Sequence, residues 1–392
     1  MSTTTDRMQI IDDLKNVFQD QFQTKPIIVR SPGRINIIGE HTDYNEGFVL
    51  PAAIDKAAYI AVSLRDDDEI HLVAIDLNQK YSVHLIDLKP VGDIGWPNYI
   101  LGSAAQFLKK GAKLTGFNAV LTSTVPIGAG LSSSAAIECA TVFALNELLQ
   151  SNFEKIEMVK MAQKAEHEYA GVMCGIMDQF ASMMGKKDYL IKLDCRSLEY
   201  EYVPFKLDGI KVLLLNTSVK HSLASSEYNN RRKECKTAVG WVREHVQGIN
   251  SLRNVTEEML NNYVLTKDER IDQRSRYVVQ EINRLVEVCR YLENDNLVEL
   301  GKNMFATHDG LSKMYQVSCK ELDWLVDKVR NNPNVLGARM MGGGFGGCTI
   351  NLVKENAIDE LVTGLQFNYE KEMDLPLTYA VASIDNGTEI IT

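Results

Sequence analysis

The sequence predicts an α+β protein in which short strands come first and longer helices follow. The chain has 392 residues, more than a single core usually organises, which indicates two or three domains. Hydrophobic residues make up 45% of it and charged residues 24%, as in ordinary globular proteins, so disordered and fibrous classes are excluded. The β-rich stretches are separated by turn residues rather than by helices. This favours antiparallel hairpins and mixed sheets over an alternating parallel sheet.

An amphipathic helix is predicted first, because Ile11, Leu14, Phe18 and Phe22 recur at helical spacing among charged residues in the segment 1–23. Short runs rich in β-branched and aromatic residues follow, with turn residues between them, which is typical of strands. These predicted strands cover residues 27–30, 57–64, 70–75 and 81–86.

Longer patterns with apolar residues three and four apart then predict helices. They cover residues 99–108, 135–149, 156–169, 225–245, 273–292 and 319–330, and Gly171 is suited to cap the third of them. Further strands are predicted at residues 189–193, 210–216 and 348–353. The segment 193–211, polar at first and ending in Asp208 and Gly209, predicts a division into domains 1–205 and 206–392.

The charge balance argues against nucleic acid and anionic membranes as partners. Lys and Arg number 42 against 52 Asp and Glu, so the net charge is −10 and any anionic ligand must be held by local groups. The seven cysteines include no Cys-x-x-Cys pair, which predicts free thiols in a reducing compartment. The N-terminal pattern is not that of a signal sequence, and no apolar run approaches the ~20 residues of a membrane span. We therefore expect a cytoplasmic protein.

The segment PIGAGLSSSAA, residues 126–136, leads directly into a predicted helix. Its glycines let the backbone approach a ligand closely, and its serines place N–H groups and hydroxyls at a helix N-terminus, where the dipole favours phosphate. The lysine-containing Walker pattern occurs nowhere in the chain. The segment therefore predicts a phosphate cradle without lysine, although an ordinary serine-capped helix would show the same pattern.

A second glycine-rich segment, MGGGFGGC at residues 341–348, formally contains G-x-G-x-x-G at Gly342, Gly344 and Gly347. The dinucleotide fingerprint needs a helix after it, whereas a β-branched run follows here. We therefore expect either a loop that closely approaches a ligand or a facing domain, or a plain flexible loop.

A polar turn is predicted where Glu40, His41, Asp43 and Asn45 fall within six positions. Such a turn can satisfy several hydroxyls of a small polar ligand at once. A solvated loop of charges is the alternative, and the spacing matches no recognised metal site.

Two further acids are candidates for function. Asp178 lies among apolar residues, so it is either a buried structural acid or a functional one. Glu166 falls on a predicted helix, where most glutamates face water. His167 and Glu168 begin the zincin pattern H-E-x-x-H, but Gly171 stands in place of the second histidine, which excludes that class.

Together these segments resemble the GHMP small-molecule kinases, and within them most closely the galactokinase family. Four blocks agree with the family in its order: residues 33–45, 126–136, 216–228 and 342–347. The resemblance implies two domains with mixed and antiparallel sheets and an active site in the cleft between them. It also implies ATP-dependent phosphorylation of α-D-galactose at the C1 hydroxyl, giving galactose 1-phosphate and ADP, with Mg²⁺ present.

The resemblance assigns roles residue by residue. Asp178 would accept the proton of the C1 hydroxyl, and Arg34 would keep Asp178 ionised and stabilise the transferring phosphoryl group. The implied contacts with galactose come from Glu40, His41, Thr42, Asp43, Gly175 and Tyr228. The implied contacts with the ATP phosphates come from Gly128, Ala129, Gly130, Leu131, Ser132, Ser133 and Ser134. Ser134 and Glu166 would hold Mg²⁺.

Three rival functions share some of these features. One is a kinase for a related sugar such as N-acetylgalactosamine, and another is a protein that senses galactose and ATP without catalysis. The resemblance argues against the sensor, because the serine run of residues 132–134 is complete. The third is a metabolite-binding protein that uses no nucleotide. The sensor would engage a regulatory protein, whereas for the kinase we expect small-molecule ligands and no obligate protein partner.

Overall fold

The structure is a computed structural model that describes residues 4–92, 95–126, 128–219 and 224–391. Its strands are β1 (Ile27–Asn36), β2 (Phe48–Val49), β3 (Pro51–Leu64), β4 (Glu69–Ala74), β5 (Gln79–His84), β6 (Phe117–Ser123), β7 (Tyr189–Asp194), β8 (Tyr200–Pro204), β9 (Ile210–Asn216), β10 (Val335–Met340), β11 (Cys348–Lys354), β12 (Thr378–Ala382) and β13 (Glu389–Ile391). Its helices are α1 (Thr4–Phe22), α2 (Pro97–Lys109), α3 (Ser133–Leu148), α4 (Lys155–Ala165), α5 (Met177–Met184), α6 (Ala224–Arg243), α7 (Glu257–Tyr263), α8 (Glu269–Glu293), α9 (Leu297–Asp309), α10 (Lys320–Val329) and α11 (Ile358–Met373). Some residues of the predicted segments lie outside the described residues, namely 1–3, 127 and 220–223.

The first sheet has the strand order β13-β1-β3-β6-β4-β5. Its neighbours are antiparallel except for the parallel pair β4 and β6, so the expectation of a mixed, mainly antiparallel α+β fold is confirmed. Apolar residues of α2, α3, α4 and α5 pack with one face of this sheet. On the other face, Leu14 and Phe18 of α1 pack against Ile28 and Tyr59. Burial on both faces fixes the position of β1, which carries Arg34.

The second sheet has the order β10-β11-β9-β12 and is antiparallel throughout. Helix α9 packs on β10, while α10 and α11 contribute to a separate apolar cluster with this sheet. β10 and β11 form a hairpin, so the glycine-rich segment 341–347 is its connecting loop. This arrangement confirms that the segment is not a dinucleotide-binding turn, because no helix follows it.

Several element boundaries differ from the predicted ones. β1 continues through Pro32 and Gly33 to Asn36, because a register shift between Pro32 and Arg34 accommodates the proline within the strand. The helix predicted at residues 156–169 ends at Ala165 and continues as a π-helical turn, Glu166–Ala170, before Gly171 takes φ of 70° as its cap.

Other elements were missed by sequence reasoning. β8 lies inside the segment that we expected to separate two domains, and it pairs with β7. β13, close to the end of the chain, pairs with β1 of the first sheet. The division into 1–205 and 206–392 stays a prediction. No helix in the described ranges combines the length and the apolar character of a membrane span.

Candidate active site

A cavity of about 430 Å³ lies where the N-terminal ends of α3 and α5 face the loop between β10 and β11. Its lining includes Arg34, Glu40, His41, Asp43, Gly128, Gly130, Leu131, Ser132, Ser133, Ser134, Glu166, Gly175, Asp178, Tyr228 and the loop glycines 342–344. Segments far apart in the sequence, which were singled out for different reasons, therefore share one cavity. The roles of the individual residues stay predictions.

Two of the predicted site residues do not line this cavity. Thr42 is fully buried, and its hydroxyl donates to the carbonyl oxygens of Gly39 at 2.8 Å and Phe48 at 2.5 Å, so it holds the polar turn in shape. Ala129 is buried within an apolar cluster. Their positions leave both side chains without access to a ligand in the cavity.

Arg34 and Asp178 form a bidentate ion pair at the centre of the cavity. Arg34 donates from Nε to Oδ1 at 2.9 Å and from Nη2 to Oδ2 at 2.8 Å, and its Nη1 donates to the carbonyl oxygen of Gly130 at 2.5 Å. Burial by itself lowers the pKa of Arg34, but the charges of Asp178 and Glu40 raise it overall. The Ser132 hydroxyl donates to Asp178 Oδ2. The pair is therefore fixed in orientation from both sides.

The phosphate-cradle segment has the backbone that its glycines predict. Gly128 and Gly130 have φ of 74° and 73°, in the left-handed region where a side chain would be strained. Ser132 also has a left-handed backbone, with φ of 59° and ψ of 52°, and its hydroxyl bond to Asp178 helps to hold it there. α3 begins at Ser133, so its unpaired N–H groups lie at the edge of the cavity and favour an anion.

The loop of residues 341–347 packs directly against the phosphate cradle. A Cβ atom on Gly342 would lie 3.2 Å from the carbonyl oxygen of Gly130, and one on Gly344 would lie 2.1 Å from that of Val317. Both glycines also have positive φ, 81° and 85°. This is the close-approach loop that the sequence predicted as one of two alternatives.

Glu40 is held by a fully buried arginine. Its Oε1 accepts from Arg339 Nη2 at 3.1 Å and from the N–H of Gly342 at 2.9 Å. Tyr277 of α8 donates to the backbone carbonyl of Glu40 at 3.1 Å. The polar turn is thereby joined to the glycine-rich loop and to α8.

His41 lies in a cluster of aromatic rings beside the cavity. Its Nδ1 is 2.6 Å from the hydroxyl oxygen of Tyr44, and its ring centroid is 5.4 Å from that of Tyr228. Burial lowers the pKa of His41 to about 3, and the charge of Arg231 acts in the same direction. The imidazole is therefore neutral at physiological pH and can accept or donate a single hydrogen bond at each nitrogen.

Asp43 lies against Gly175 in the wall of the cavity. A Cβ atom on Gly175 would lie 1.7 Å from Asp43 Oδ2, so only glycine fits there. The N–H of Tyr44 donates to Asp43 Oδ1 at 2.9 Å. Burial, with a further contribution from the charge of Asp178, raises the pKa of Asp43 to about 7.

Glu166 is buried, so the alternative that it faces water from the surface of a helix is wrong. Its Oε2 accepts from Gln179 Nε2 at 2.7 Å and from Cys174 Sγ at 3.3 Å. Burial raises its pKa to about 7 and the charge of Asp178 adds to this, while hydrogen bonds from Cys174, Ser134 and Gln179 oppose it. Glu166 and Ser134 together offer the oxygen ligands that Mg²⁺ prefers, and Mg²⁺ usually takes few ligands from the protein.

Sequence reasoning missed Arg339, Gln179 and Cys174 as contributors to the site. A charged residue in the otherwise apolar strand β10 is the signal that could have found Arg339, because a buried arginine must find acceptors. Gln179 follows Asp178 directly, but an amide beside an acid carries no signal of its own.

Comparison with protein families gives three matches along the chain. The galactokinase galactose-binding signature matches residues 16–64, the GHMP kinases N terminal domain matches residues 98–186, and the GHMP kinases C terminal domain matches residues 283–371.

Individual relatives match over nearly the whole chain. A galactokinase of Thermotoga petrophila is 41% identical over 363 residues, covering 93% of this chain and 99% of the relative. A galactokinase of Clostridium acetobutylicum is 38% identical and covers 98% of this chain and 100% of its own. Among solved structures, Lactococcus lactis galactokinase complexed with galactose has a TM-score of 0.93 at 33% identity, covering 97% and 100% of the two chains. Methanococcus jannaschii mevalonate kinase shares the fold, with a TM-score of 0.63 at 23% identity, over 93% of this chain and 100% of that one.

Proposed function

Because the chain belongs to the galactokinases of the GHMP kinase family, it is a kinase that uses ATP to phosphorylate galactose, and we propose how its residues carry out that reaction. The observation that carries the proposal is the bidentate pair of Arg34 and Asp178. The pair is bonded to the phosphate cradle at Gly130 and Ser132 and lines the same cavity as the polar turn. A proton acceptor thus lies between a phosphate site and a sugar site.

Phosphoryl transfer needs a protein mainly to position the reactants and to stabilise charge on the moving group. The C1 hydroxyl oxygen of galactose forms a bond to the γ-phosphorus as the bond to the bridging oxygen of ADP breaks. The hydroxyl proton passes to Asp178. Arg34 stays protonated throughout, holds Asp178 in place through the bidentate pair, and provides positive charge beside the moving phosphoryl group.

The sugar lies against the polar turn in this proposal. Glu40, His41, Asp43 and Tyr228 supply side-chain hydrogen bonds to its hydroxyls, and Gly175 keeps the space beside Asp43 open. A site built to bind hydroxyls rejects sugars that leave its buried polar groups unpaired. The predicted contact from Thr42 is not retained, since its hydroxyl is already bonded within the turn; Thr42 holds the turn instead.

The phosphates of ATP lie against the backbone of residues 128–134. Ala129 contributes its backbone alone, because its side chain is buried elsewhere. Ser134 and Glu166 would hold Mg²⁺, which when bound neutralises phosphate charge. The N–H groups at the start of α3 bind phosphate oxygens and supply further positive potential, which a chain of net charge −10 lacks overall.

We also propose that this cavity is the cleft between the domains 1–205 and 206–392. In support, Tyr228 and the loop glycines 342–344 from the second part line it together with the phosphate cradle from the first. The cytoplasm, which contains ATP, is the proposed compartment, and the proposal requires no protein partner.

The proposal is tested by measuring ADP release with galactose, 2-deoxygalactose, N-acetylgalactosamine and glucose, and by locating the phosphate on the product by NMR. We expect galactose to be preferred and to be phosphorylated at C1. Asp178→Asn and Arg34→Ala should retain galactose binding and lose most turnover, by about 10²–10⁴-fold for loss of the proton acceptor. Near-normal turnover by a folded Asp178→Asn enzyme would exclude its role as proton acceptor. Preference for N-acetylgalactosamine would instead identify the related sugar kinase.

A further inference from the structure

A buried polar chain runs behind the cavity and involves a residue with no role so far. Gln179 of α5 donates from Nε2 to Glu166 Oε2 at 2.7 Å and also to Glu138 Oε2 at 3.0 Å. Glu138 lies on α3, four positions after Ser134, and it is fully buried, as is Gln179. One amide group thus joins the carboxylate at the cavity wall to a second carboxyl group deeper in the core.

Among the described residues, the side chain of Glu138 has incomplete hydrogen bonding. It does not line the cavity, and Gln179 is the hydrogen-bond partner of its side chain. Its Oε1 has no partner among the described residues, nor has Oε1 of Gln179. Burying a carboxyl group with incomplete hydrogen bonding is unfavourable, and an apolar residue would pack between these helices without that penalty. Burial and the charge of Glu166 raise the pKa of Glu138 well above its usual range.

The geometry indicates what this arrangement does. An amide presents N–H on one side and a carbonyl oxygen on the other, and the two can exchange by rotation of the amide. Because both carboxyl groups accept from the same Nε2, rotation would lose both bonds and turn the carbonyl oxygen toward Glu166. The bond to Glu138 therefore favours the orientation in which Gln179 presents its N–H groups to Glu166.

We propose that Glu138 is a positioning residue for the metal-binding carboxylate: acting through Gln179, it holds Glu166 in the orientation that faces Ser134 and the phosphate cradle. This inference rests on the role in Mg²⁺ binding proposed above for Glu166. Residues that orient metal ligands by hydrogen bonding typically change metal affinity by about 10–100-fold when they are replaced.

The test measures Mn²⁺ binding to the complex of the enzyme with ADP by electron paramagnetic resonance, a readout that does not depend on turnover. Glu138→Met removes the acceptor and keeps an apolar side chain of similar size. We expect it to weaken Mn²⁺ binding about tenfold, while galactose affinity without nucleotide stays within about twofold of wild type. Glu138→Gln, which still offers a carbonyl oxygen to Gln179, should bind Mn²⁺ nearly as well as wild type.

A second pair of variants establishes whether the effect passes through Gln179. If it does, Gln179→Met should weaken Mn²⁺ binding by itself, and adding Glu138→Met to it should produce little further loss. Additive losses would show that Glu138 acts by another route and would overturn the proposal. Thermal unfolding of each variant without ligands shows whether it is folded, and Glu138→Met should melt no lower than wild type.

Two results would contradict this inference. Unchanged Mn²⁺ binding by Glu138→Met would show that the residue does not orient the metal ligand. A fall in galactose affinity as large as the fall in Mn²⁺ affinity would indicate a general structural role. Glu166→Gln separates this failure from failure of the proposed metal site, because that variant must lose Mn²⁺ binding if Glu166 is a ligand at all.

Discussion

Carboxyl groups on the two sides of the cavity are stabilised in different ways. Next to the polar turn, Asp178 is paired with Arg34 and Glu40 with Arg339. Around Gln179, Glu166 and Glu138 share its amide, and within the described part of the chain neither forms an ion pair. Burial raises the pKa of both.

This difference separates carboxyl groups whose positive partner is an arginine of the protein from carboxyl groups whose positive partner would arrive with the substrate. Under the proposed function Asp178 accepts a proton, and the protein itself supplies its positively charged partner, Arg34. Glu166 lacks such a partner, so the free energy needed to ionise it is recovered only when a cation binds beside it. Under the proposed function that cation enters with the nucleotide.

The largest expected effect comes from removing the arginine that pairs with a buried carboxylate. Arg339→Met leaves Glu40 and three backbone carbonyls without their donor in a fully buried position. We expect the free energy of unfolding to fall by about 3–5 kcal/mol, measured by urea denaturation. Lys302→Met, which breaks an exposed pair with Glu299, is the control and should cost less than about 1 kcal/mol. Similar losses of unfolding free energy in the two variants would contradict the expectation that a buried ion pair costs more to break than an exposed one.

Arg34→Met should affect catalysis more than folding. It leaves Asp178 without its guanidinium partner and removes positive charge from beside the transferring group. We expect kcat to fall by about 10²–10³-fold, measured by steady-state kinetics, while KM for galactose changes much less. Arg34→Lys keeps the charge but cannot donate in bidentate geometry, so its loss should be intermediate. A kcat for Arg34→Lys as low as that of the methionine variant would show that geometry matters and charge does not.

Because Glu166 has no ion pair among the described residues, we expect the stability of the protein to depend on pH. The pKa of Glu166 is raised to about 7 from 4.5, so its contribution to stability is fully present below about pH 4.5 and is lost as pH rises through about 7. Glu166→Gln has no carboxyl group to ionise. The free energy of unfolding of this variant, minus that of wild type, should therefore increase by about 1–3 kcal/mol between pH 5 and pH 8.

Urea denaturation at the two pH values measures this difference. Glu157, on the exposed surface of α4 beside Lys110, serves as the control. Glu157→Gln should show no such gain, because the pKa of Glu157 is lowered rather than raised. A stability difference for Glu166→Gln that is independent of pH would contradict the assignment.

The smallest expected effect concerns Asp43, whose pKa is raised by burial to about 7. A sugar hydroxyl donates best to the ionised carboxylate, so galactose affinity without nucleotide should rise by about three- to tenfold from pH 6 to pH 8. Titration calorimetry measures it. His41, with a pKa of about 3, does not titrate in this range. Asp43→Asn should bind more weakly and without pH dependence; a retained pH dependence would assign the effect to another group.

The sequence was sufficient where the local backbone decides the outcome. The glycines of residues 126–136 predicted close approach of the backbone, and Gly128 and Gly130 have the left-handed φ that glycine allows. The fold class was also predictable, because turn residues rather than helices separate the β-rich stretches. Short elements such as α5, only eight residues long, gave too little periodicity to detect.

The partners of the functional groups could not be predicted in this way. Arg34 and Asp178 are 144 positions apart, and their partnership was predicted only from the family resemblance. Arg339 and Glu40 are 299 positions apart, and their pairing was missed because it depends on tertiary packing, for which the residue pattern carries no signal. Glu138 was overlooked for a similar reason: in a helix rich in apolar residues, an isolated glutamate gives no indication of what lies opposite it.

The pairing of β13 with β1 has a consequence for how the protein is made. β1, the strand that carries Arg34, has β3 on one side, and among the described residues its strand partner on the other side is the short segment 389–391. Until those residues emerge from the ribosome, the outer N–H and C=O groups of β1 form an open edge, which is a template for pairing with other chains. We therefore expect nascent or slowly translated chains to be the form most prone to aggregation and most in need of chaperones.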